Sequence, residues 1–141
     1  MRKAIYVLIV IGLMLLPVRP TDVGELEPIQ AVWLSEESGR VMLETDTLDK
    51  GTGRTVSEAL EEMKRYSREI VYLDTAQFLL VSENALDKIP DIRPYLKRTV
   101  KLCLWEGAGA VSDAAAYMQA HKSGIALSQW NADVKLPNLP Q

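Results

Sequence analysis

The first twenty residues constrain this chain more than any other segment. Arg2 and Lys3 precede an apolar run that extends from residue 4 to residue 16, and Pro17, Arg19 and Pro20 end it abruptly. A basic flank followed by a short apolar core is typical of a signal that targets a chain to the secretion machinery, and not of a globular fold. We therefore expect residues 1–20 to be a signal or membrane anchor, and the rest of the chain to function on the far side of a membrane.

Two readings of this segment remain open. A membrane-spanning helix needs roughly 20 apolar residues, with about 17 as a lower limit, so a run that ends near Val18 is slightly short and favours a signal peptide. Cleavage, however, requires small residues in an Ala-x-Ala-like pattern, which residues 16–21 lack. No cysteine directly follows the run, which argues against a lipoprotein. We favour an uncleaved anchor in the cell membrane with the domain outside; the alternative is secretion after signal cleavage.

Composition predicts one domain after the leader. About 120 residues remain, near the commonest size of a single domain, and 48% of the chain is apolar. Cys103 is the only cysteine, so no intrachain disulfide can form. For an exported protein this excludes a disulfide-stapled scaffold and fits a Gram-positive-like cell surface. We expect Cys103 to be a half-buried residue of a strand.

The charge balance argues against nucleic-acid partners. Apart from Arg2, Lys3 and Arg19, 13 basic residues stand against 19 acidic ones, a net charge of −6. An acidic surface without a basic stripe is unfavourable for binding to a polyanion. We expect no nucleic-acid function.

Turn signals and apolar periodicity divide the chain into segments. Residues 21–28 are polar and end at a proline, which predicts a linker; residues 29–131 form the α/β domain; residues 132–141 form a proline-containing tail with little to pack. Alternation predicts a hairpin of strands 29–34 and 40–47 around a turn at 36–39, with Val41, Leu43, Thr45 and Thr47 on one face.

The best-defined helix follows a glycine-containing segment. We expect Gly51-Thr52-Gly53 to be a flexible connection, because it lacks the Lys-Ser/Thr of a phosphate-binding loop. Thr55 and Glu58 form a capping-box signature, and the helix is expected to run to about Arg68. Its predicted buried stripe consists of Val56, Ala59, Leu60 and Met63, extended by Tyr66.

The second half alternates between strands and helices. Residues 71–73 are a candidate short strand, Phe78–Val81 a central strand buried on both faces, 84–89 a helical turn stopped by Pro90, and 91–96 a second turn. A strand over 100–105 and a small helix with Val111, Ala114, Ala115 and Met118 inward follow. The predicted fold is α/β (α+β), in the order β-β-α-β-α-β-α, with helices packed on a mixed sheet.

Few residues support a catalytic or metal site. His121 is the only histidine and is predicted in the last turn of the third helix, where it complements the helix dipole; zinc sites normally need several His or Cys ligands. Glycoside chemistry requires a pair of carboxylates. The candidates for such a pair are Asp46, Asp74 and Glu106, which are predicted at strand ends. We interpret Asp74 as a residue that bonds the backbone of its own turn.

The three tryptophans are candidates for contact with a partner. Trp33 is expected in the core, and Trp130 lies in a segment of ambiguous structure. Trp105 shares a strand face with Lys101 and Cys103, so Lys101 and Trp105 form the candidate interaction surface. We assign no catalytic, cofactor-binding or metal-binding residue.

Two stretches resemble a known family. They are residues 53–60, GRTVSEAL, and residues 72–81, YLDTAQFLLV. Over about 29–126 the chain resembles the N-terminal domain of the Ger(x)C family, the C-type subunit of spore germinant receptors. In that domain a glycine-rich loop enters a helix with a Thr-x-x-Glu-Ala-Leu-like start, and a strand with a short polar turn and an aliphatic run follows. Family members carry a lipid-attachment cysteine and two further domains that do not occur in this sequence.

The resemblance implies a stand-alone membrane-anchored relative without enzymatic activity or cofactor. The expected function is that of a non-catalytic extracytoplasmic domain that acts as an interaction or accessory component in sporulation or germination. Its expected partners are membrane or envelope proteins, including germinant-receptor-like subunits, and the membrane through the N-terminal segment. The alternative is a secreted or surface module that binds a small ligand or the cell wall.

Overall fold

The computed structural model describes residues 2–15, 28–68 and 71–140. The helices are α1 (Arg2–Leu15), α2 (Val56–Tyr66), α3 (Ile89–Ile92) and α4 (Val111–His121). The strands are β1 (Ala31–Glu37), β2 (Arg40–Thr45), β3 (Lys50–Gly53), β4 (Phe78–Val81), β5 (Lys101–Leu104) and β6 (Ile125–Ala126). Short 3-10 helices cover Leu73–Thr75, Glu83–Lys88, Arg93–Tyr95 and Leu127–Gln129.

The strands form one mixed sheet in the order β3-β2-β1-β4-β5-β6. β1, β4 and β5 run parallel, whereas β2 is antiparallel to its neighbours β1 and β3, and β6 is antiparallel to β5. The α/β class, the leading hairpin and the alternation that follows are confirmed. β3 and β6 are strands that the predicted order did not contain.

The leading hairpin turns over two residues. Glu37 pairs with Arg40, and Ser38 and Gly39 between them have φ values of 52° and 74°. Two successive residues with positive φ match the right-handed twist of the strands that they join. Val41, Leu43 and Thr45 are buried as predicted, whereas Thr47 lies after the end of β2 and is only partly buried.

β3 corrects the expectation of a flexible loop at Gly51-Thr52-Gly53. Both glycines are buried because α2 crosses directly above them. A Cβ on Gly51 would overlap the carbonyl oxygen of Ala59, and one on Gly53 would lie 2.7 Å from the Ala59 nitrogen. The glycines therefore allow the close approach of a helix to a strand.

The helix α2 begins with the predicted cap. The Glu58 nitrogen donates to Thr55 Oγ1 at 3.2 Å, and the Glu58 carboxylate accepts from the Arg54 nitrogen at 2.8 Å. The four predicted stripe residues from Val56 to Met63 are buried. Tyr66, expected to extend the stripe, is 71% exposed; that expectation is wrong, because Tyr66 lies beside Glu62 and Arg65 on the outward side of the helix.

Helices cover both faces of the sheet. The larger core packs α2, α3 and the 3-10 helix Glu83–Lys88 on one face, and the smaller core packs α4 on the other. β4, buried at all four positions, is central as predicted. Cys103 is fully buried rather than half-buried, because α4 covers the face of β5 on which its side chain lies.

The segment between α2 and β5 departs from its predicted elements. Residues 71–73 are not a strand; Leu73 begins a 3-10 turn instead. Pro90 does not stop a helix but lies in the first turn of α3, where its missing N–H needs no intrahelical partner. Ile92 and Leu96 are buried, as expected.

The C-terminal segment corrects the expectation of a tail with little to pack. Leu136 and Leu139 are 4% and 6% exposed. The Leu104 nitrogen donates to the Pro137 oxygen at 2.9 Å, and the Leu139 nitrogen donates to the Leu104 oxygen at 3.0 Å. The segment thus runs beside the end of β5, while β6 pairs with its beginning.

The N-terminal helix α1 is apolar after Arg2 and Lys3. Every residue of α1 whose exposure is described is exposed, and large side chains such as Leu8 and Leu15 are 70% and 75% exposed. Within the described parts of the chain, no helix combines the length and apolarity that a bilayer span requires. The predicted cleavage region and most of the predicted linker lie outside the described residues.

Candidate groove at the carboxyl ends of the parallel strands

The topology opens a crevice between the ends of β4 and β5. After β4 the chain enters the 3-10 helix Glu83–Lys88, which packs on the face that carries the larger core. After β5 it passes through residues 105–110 into α4, which packs on the opposite face. In sheets of parallel strands, ligands bind where neighbouring connections leave toward opposite faces.

A groove of about 590 Å³ lies beside this crevice, between the segment that follows β4 and the C-terminal segment 130–136. Its apolar lining consists of Leu86, Pro90, Leu104, Trp130, Ala132, Val134 and Leu136. Glu83, Asp87 and Asp133 stand at its rim together with one basic residue, Lys135. The volume is within the range of small-molecule sites, and the rim has an excess of negative charge.

An adjoining cavity of about 400 Å³ continues the groove past the end of β5. Glu83 and Leu104 line both spaces. The Glu106 carboxylate accepts a hydrogen bond from the Glu83 nitrogen at 2.9 Å. This bond joins the segment after β4 to the segment after β5 and holds the mouth of the crevice in place.

Two tryptophans on the face of the sheet that α4 covers support the loop after β5. The rings of Trp33 and Trp105 meet edge to face with centroids 5.1 Å apart. Gly107 has a φ of 83°, and a Cβ there would lie 2.6 Å from Cη2 of Trp33. The loop therefore depends on a glycine that lets the backbone pass over the Trp33 ring.

The structure does not bring the predicted surface pair together. Lys101 is exposed at the start of β5, whereas Trp105 follows the end of β5 and is only 4% exposed. The expectation that the Trp105 ring is exposed is wrong, because α4 and Leu139 pack over that face. Lys101 remains available for contact, and Trp105 belongs to the core.

Two of the candidate carboxylates, Asp46 and Glu106, lie at opposite ends of the sheet. Asp46 accepts hydrogen bonds from the nitrogens of Gln30 and Ala31 at 3.0 and 3.2 Å, at the end of the sheet opposite Glu106. Asp74 is exposed and makes no hydrogen bond among the described residues; the Thr75 hydroxyl instead bonds the oxygens of Ile29 and Tyr72. Asp46 and Glu106 thus do not form a two-carboxylate pair.

His121 lies in the last turn of α4, as predicted. Its Nδ1 is 2.9 Å from the Tyr117 oxygen, and its ring stacks on the Tyr117 ring with centroids 4.0 Å apart. Across the described ranges, no three His, Cys, Asp or Glu side chains are grouped as a metal site would require.

Buried hydroxyls lie near the crevice. Ser35 and Ser82 are 7% and 5% exposed, and neither hydroxyl has a hydrogen-bond partner within the described residues. They are neighbours in the sheet, because the Ser82 nitrogen donates to the Leu34 oxygen at 3.0 Å. A serine nucleophile needs an adjacent base, and His121 lies at the other end of α4.

Sequence reasoning missed the walls of the groove. Trp130, Val134 and Leu136 belong to segments read as ambiguous or as a tail. The available signal was the recurrence of Val134, Leu136 and Leu139 among polar residues and prolines, a pattern that places apolar side chains at intervals along an extended segment.

Comparisons with known proteins identify no relative of this chain. No protein-family model matches the chain, no curated protein matches it, and no solved structure matches its fold.

Proposed function

We propose that this chain is a non-catalytic binding domain held at a membrane by its N-terminal segment and displayed on the extracytoplasmic side. It acts through contacts with membrane or envelope proteins. The resemblance to the Ger(x)C N-terminal domain suggests germinant-receptor-like subunits as such partners and a role in sporulation or germination.

The exposed apolar helix α1 carries this proposal. The described side chains between residues 4 and 15 are exposed, with Ile5, Val7 and Leu8 each more than half exposed, and none of them belongs to either core cluster. A helix that is apolar all round is stable when it is buried in a core or in lipid. Arg2 and Lys3 at its start match the positive charge found on the cytoplasmic side of a membrane segment.

The groove supplies the surface for a partner. An apolar floor excludes water from a contact, and the rim carboxylates of Glu83, Asp87 and Asp133 favour a partner with basic groups beside apolar ones. Among the described residues, Glu83 and Asp133 form no ion pair within the protein. Both charges are therefore available to a partner.

A second candidate function follows from the size of the groove. A volume of about 590 Å³ also accommodates a small ligand, as expected of a secreted or surface module that binds a ligand or cell-wall fragments. Thermal stabilisation of the protein by muropeptides or amino acids would favour this candidate, because a ligand that binds only the folded state raises Tm.

Membrane fractionation with intact-mass measurement tests the main proposal. The full chain is produced in a Gram-positive host, and membrane, soluble and secreted fractions are separated. We expect the full-length mass in the membrane fraction. In the matched variant Leu8→Asp with Val10→Asp, the apolar run is interrupted, and we expect the protein to leave the membrane. A full-length wild-type protein in the soluble fraction would overturn the proposal, and a shortened mass in the medium would favour the secreted alternative.

Site-directed photocrosslinking tests the groove. A photoreactive residue at Ala132, in the groove, is compared with one at Ser57, an exposed position on α2. We expect adducts to one membrane or envelope protein from Ala132 only, and their loss in the Glu83→Lys, Asp133→Lys variant. Adducts that form equally from both positions, or that survive the charge change, would contradict the groove as the partner site.

A further inference from the structure

The charged residues of the folded body are sorted between the two ends of its parallel strands. The carboxyl ends carry mainly acidic side chains: Glu36, Glu37, Glu83, Asp87, Glu106 and Asp133. In the described part of the chain, the amino ends carry six basic side chains that form no ion pair, here called the basic edge: Lys64, Arg93, Lys97, Arg98, Lys101 and Lys122. The net charge of −6 counted without Arg2, Lys3 and Arg19 is a sum over the chain, so it does not show this separation.

Backbone contacts bring three of these residues into one patch. Lys101 is the first residue of β5. The Arg98 oxygen accepts from the Ser128 nitrogen at 3.0 Å, just past the end of β6. Lys122 ends α4 in the left-handed conformation, and a Cβ on nearby Gly124 would lie 2.9 Å from the Lys101 Cβ. The end of α4 therefore returns to the start of β5.

Lys64 and Arg93 extend the patch toward α2. Lys64, in the last turn of α2, lines a small depression together with Pro94 and Tyr95. Arg93 directly precedes these two residues in the same 3-10 helix. All six residues of the basic edge are exposed, and in the described part of the chain none of them forms an ion pair.

The described carboxylates of Asp46, Asp49 and Asp74 lie at the same end of the sheet. The Asp46 carboxylate is bonded to two backbone nitrogens, and the Asp49 carboxylate accepts from the Thr47 hydroxyl at 3.1 Å. Asp74 is exposed and lines the depression that also contains Lys64. Within the described ranges, the six ammonium and guanidinium groups of the basic edge therefore outnumber these three carboxylates.

The chain enters the body at this end. Residue 28 leads into β1, whose first residue pairs with the first residue of β4. Twelve residues, 16–27, separate α1 from Pro28, and such a segment spans at most about 40 Å when fully extended. A membrane that holds α1 is consequently tethered to the end of the sheet that carries the basic edge.

We propose that the basic edge lies against the anionic headgroups of the membrane into which α1 inserts. This inference rests on the proposed membrane attachment. Lys and Arg residues close to an anionic bilayer are attracted to it, and the attraction decays within about a Debye length. With the basic edge on the lipid, the acidic ends of the strands and the groove face away from the membrane, where partners and ligands reach them.

Vesicle flotation of the full chain separates the two parts of the proposal. Binding to vesicles of phosphatidylcholine alone measures attachment through α1. The additional binding to vesicles of equal parts phosphatidylcholine and phosphatidylglycerol measures the electrostatic contribution. In the variant Lys97→Glu, Arg98→Glu, Lys101→Glu we expect the phosphatidylglycerol-dependent binding to be lost. Partitioning of this variant into the phosphatidylglycerol-containing vesicles should be about tenfold weaker or more. Its binding to vesicles of phosphatidylcholine alone should be unchanged.

A charge-matched variant at the other end is the control. Arg40→Glu, Arg54→Glu and Lys135→Glu change the net charge equally at the carboxyl ends of the strands, and we expect this protein to keep the phosphatidylglycerol-dependent binding. Equal losses in both variants, or none in either, would overturn the inference. Absence of binding to phosphatidylcholine alone would instead contradict the proposed attachment through α1.

Environment-sensitive labels provide a second measurement that needs no triple variant. Lys101→Cys and Asp133→Cys are labelled separately in the full chain, since Cys103 is fully buried. We expect the label at 101 to report contact with lipid headgroups in phosphatidylglycerol-containing vesicles, and loss of that contact at high salt. A label at 133 that reports headgroup contact, with 101 in water, would reverse the orientation and overturn the inference.

Discussion

The carboxylate of Glu62 on α2 accepts two hydrogen bonds from Thr52 on β3, from its backbone nitrogen at 2.8 Å and from its hydroxyl at 2.9 Å. β3 is an edge strand, and an edge with open N–H groups is a template for pairing with another chain. The Thr52 N–H that points away from β2 donates to the Glu62 carboxylate, so it is not free to pair with another strand. The same contact fastens α2 to the sheet.

Replacement of Glu62 by Gln is expected to lower Tm at neutral pH. The hydrogen bond from the Thr52 backbone, together with that from the Thr52 hydroxyl, lowers the pKa of Glu62 below its ordinary value of 4.5. Because the folded-state pKa is depressed, the ionised carboxylate stabilises the fold fully above about pH 4.5, and this contribution is lost as pH falls through the folded pKa. Melting curves from pH 3 to pH 7 measure the difference, which should shrink toward acid. Glu61→Gln, at an exposed neighbouring position, is the control; an equal loss there would contradict the role of Glu62.

Gly51→Ala is expected to destabilise the fold strongly. The new methyl group would overlap the backbone of α2 at Ala59 and Met63, which forces α2 away from β3. Overpacking of this kind costs about 1–3 kcal/mol and occasionally more. Chemical denaturation provides the measurement. Ser57→Ala, on the exposed side of the same helix, should change the free energy of unfolding by less than about 0.5 kcal/mol. Equal stability of Gly51→Ala and wild type would show that β3 is not held beneath α2.

Cys103 is expected to resist thiol reagents in the folded protein. Burial raises the pKa of its thiol to about 11, and the reactive species is the thiolate. A colorimetric disulfide reagent at pH 8 should find no thiol in the native chain and one after denaturation. Ser57→Cys supplies an exposed thiol for comparison. Reaction of native Cys103 at the rate of that control would place it outside the core.

Trp105→Ala and Lys101→Ala are expected to differ sharply. Loss of a buried aromatic side chain costs about 3–5 kcal/mol, and Trp105 packs against Trp33 and α4. Truncation of exposed Lys101 should change stability by no more than about 0.5 kcal/mol. Urea denaturation of both variants provides the comparison. A stable Trp105→Ala protein would restore the surface role predicted for this ring.

Leu139→Ala tests whether the C-terminal segment belongs to the fold. Leu139 is 6% exposed and packs in the smaller core, so its truncation should cost about 2–5 kcal/mol. Its exposed neighbour Asn138 pairs with Leu104 through the backbone only, and Asn138→Ala should be nearly neutral. Similar unfolding free energies for both variants would indicate a segment that does not contribute to the core.

Local signals predicted the elements that short-range physics governs. The hairpin around Ser38 and Gly39 and the cap formed by Thr55 and Glu58 depend on residues within a few positions of one another. β3 escaped prediction because two of its four residues are glycines, which have low strand propensity. Both glycines allow the approach of α2, whose contacting residues Glu58, Ala59 and Met63 lie five to twelve positions further along the chain, and no local pattern encodes this contact.

The groove could be predicted only in part. Glu106 was identified as a carboxylate at a strand end, and the structure places it beside Glu83 at the mouth of the crevice. Trp130 and Leu136 were not identified, because they reach the groove only when the C-terminal segment pairs with Leu104. Trp105 was placed on the surface because alternation along one strand does not reveal that a later helix covers the second face.

By itself, the sequence determined the apolar N-terminal segment, the α/β class, the leading hairpin and the buried stripe of α2, since periodicity and capping act over one or two turns of chain. Only the tertiary structure decided the order of the strands, the burial of both faces of β5 and the packing of the C-terminal segment. It also decided which charges share an end of the sheet. A net charge is a sum over the chain, whereas a basic edge exists only when parallel strands and returning helices bring distant residues to the same side.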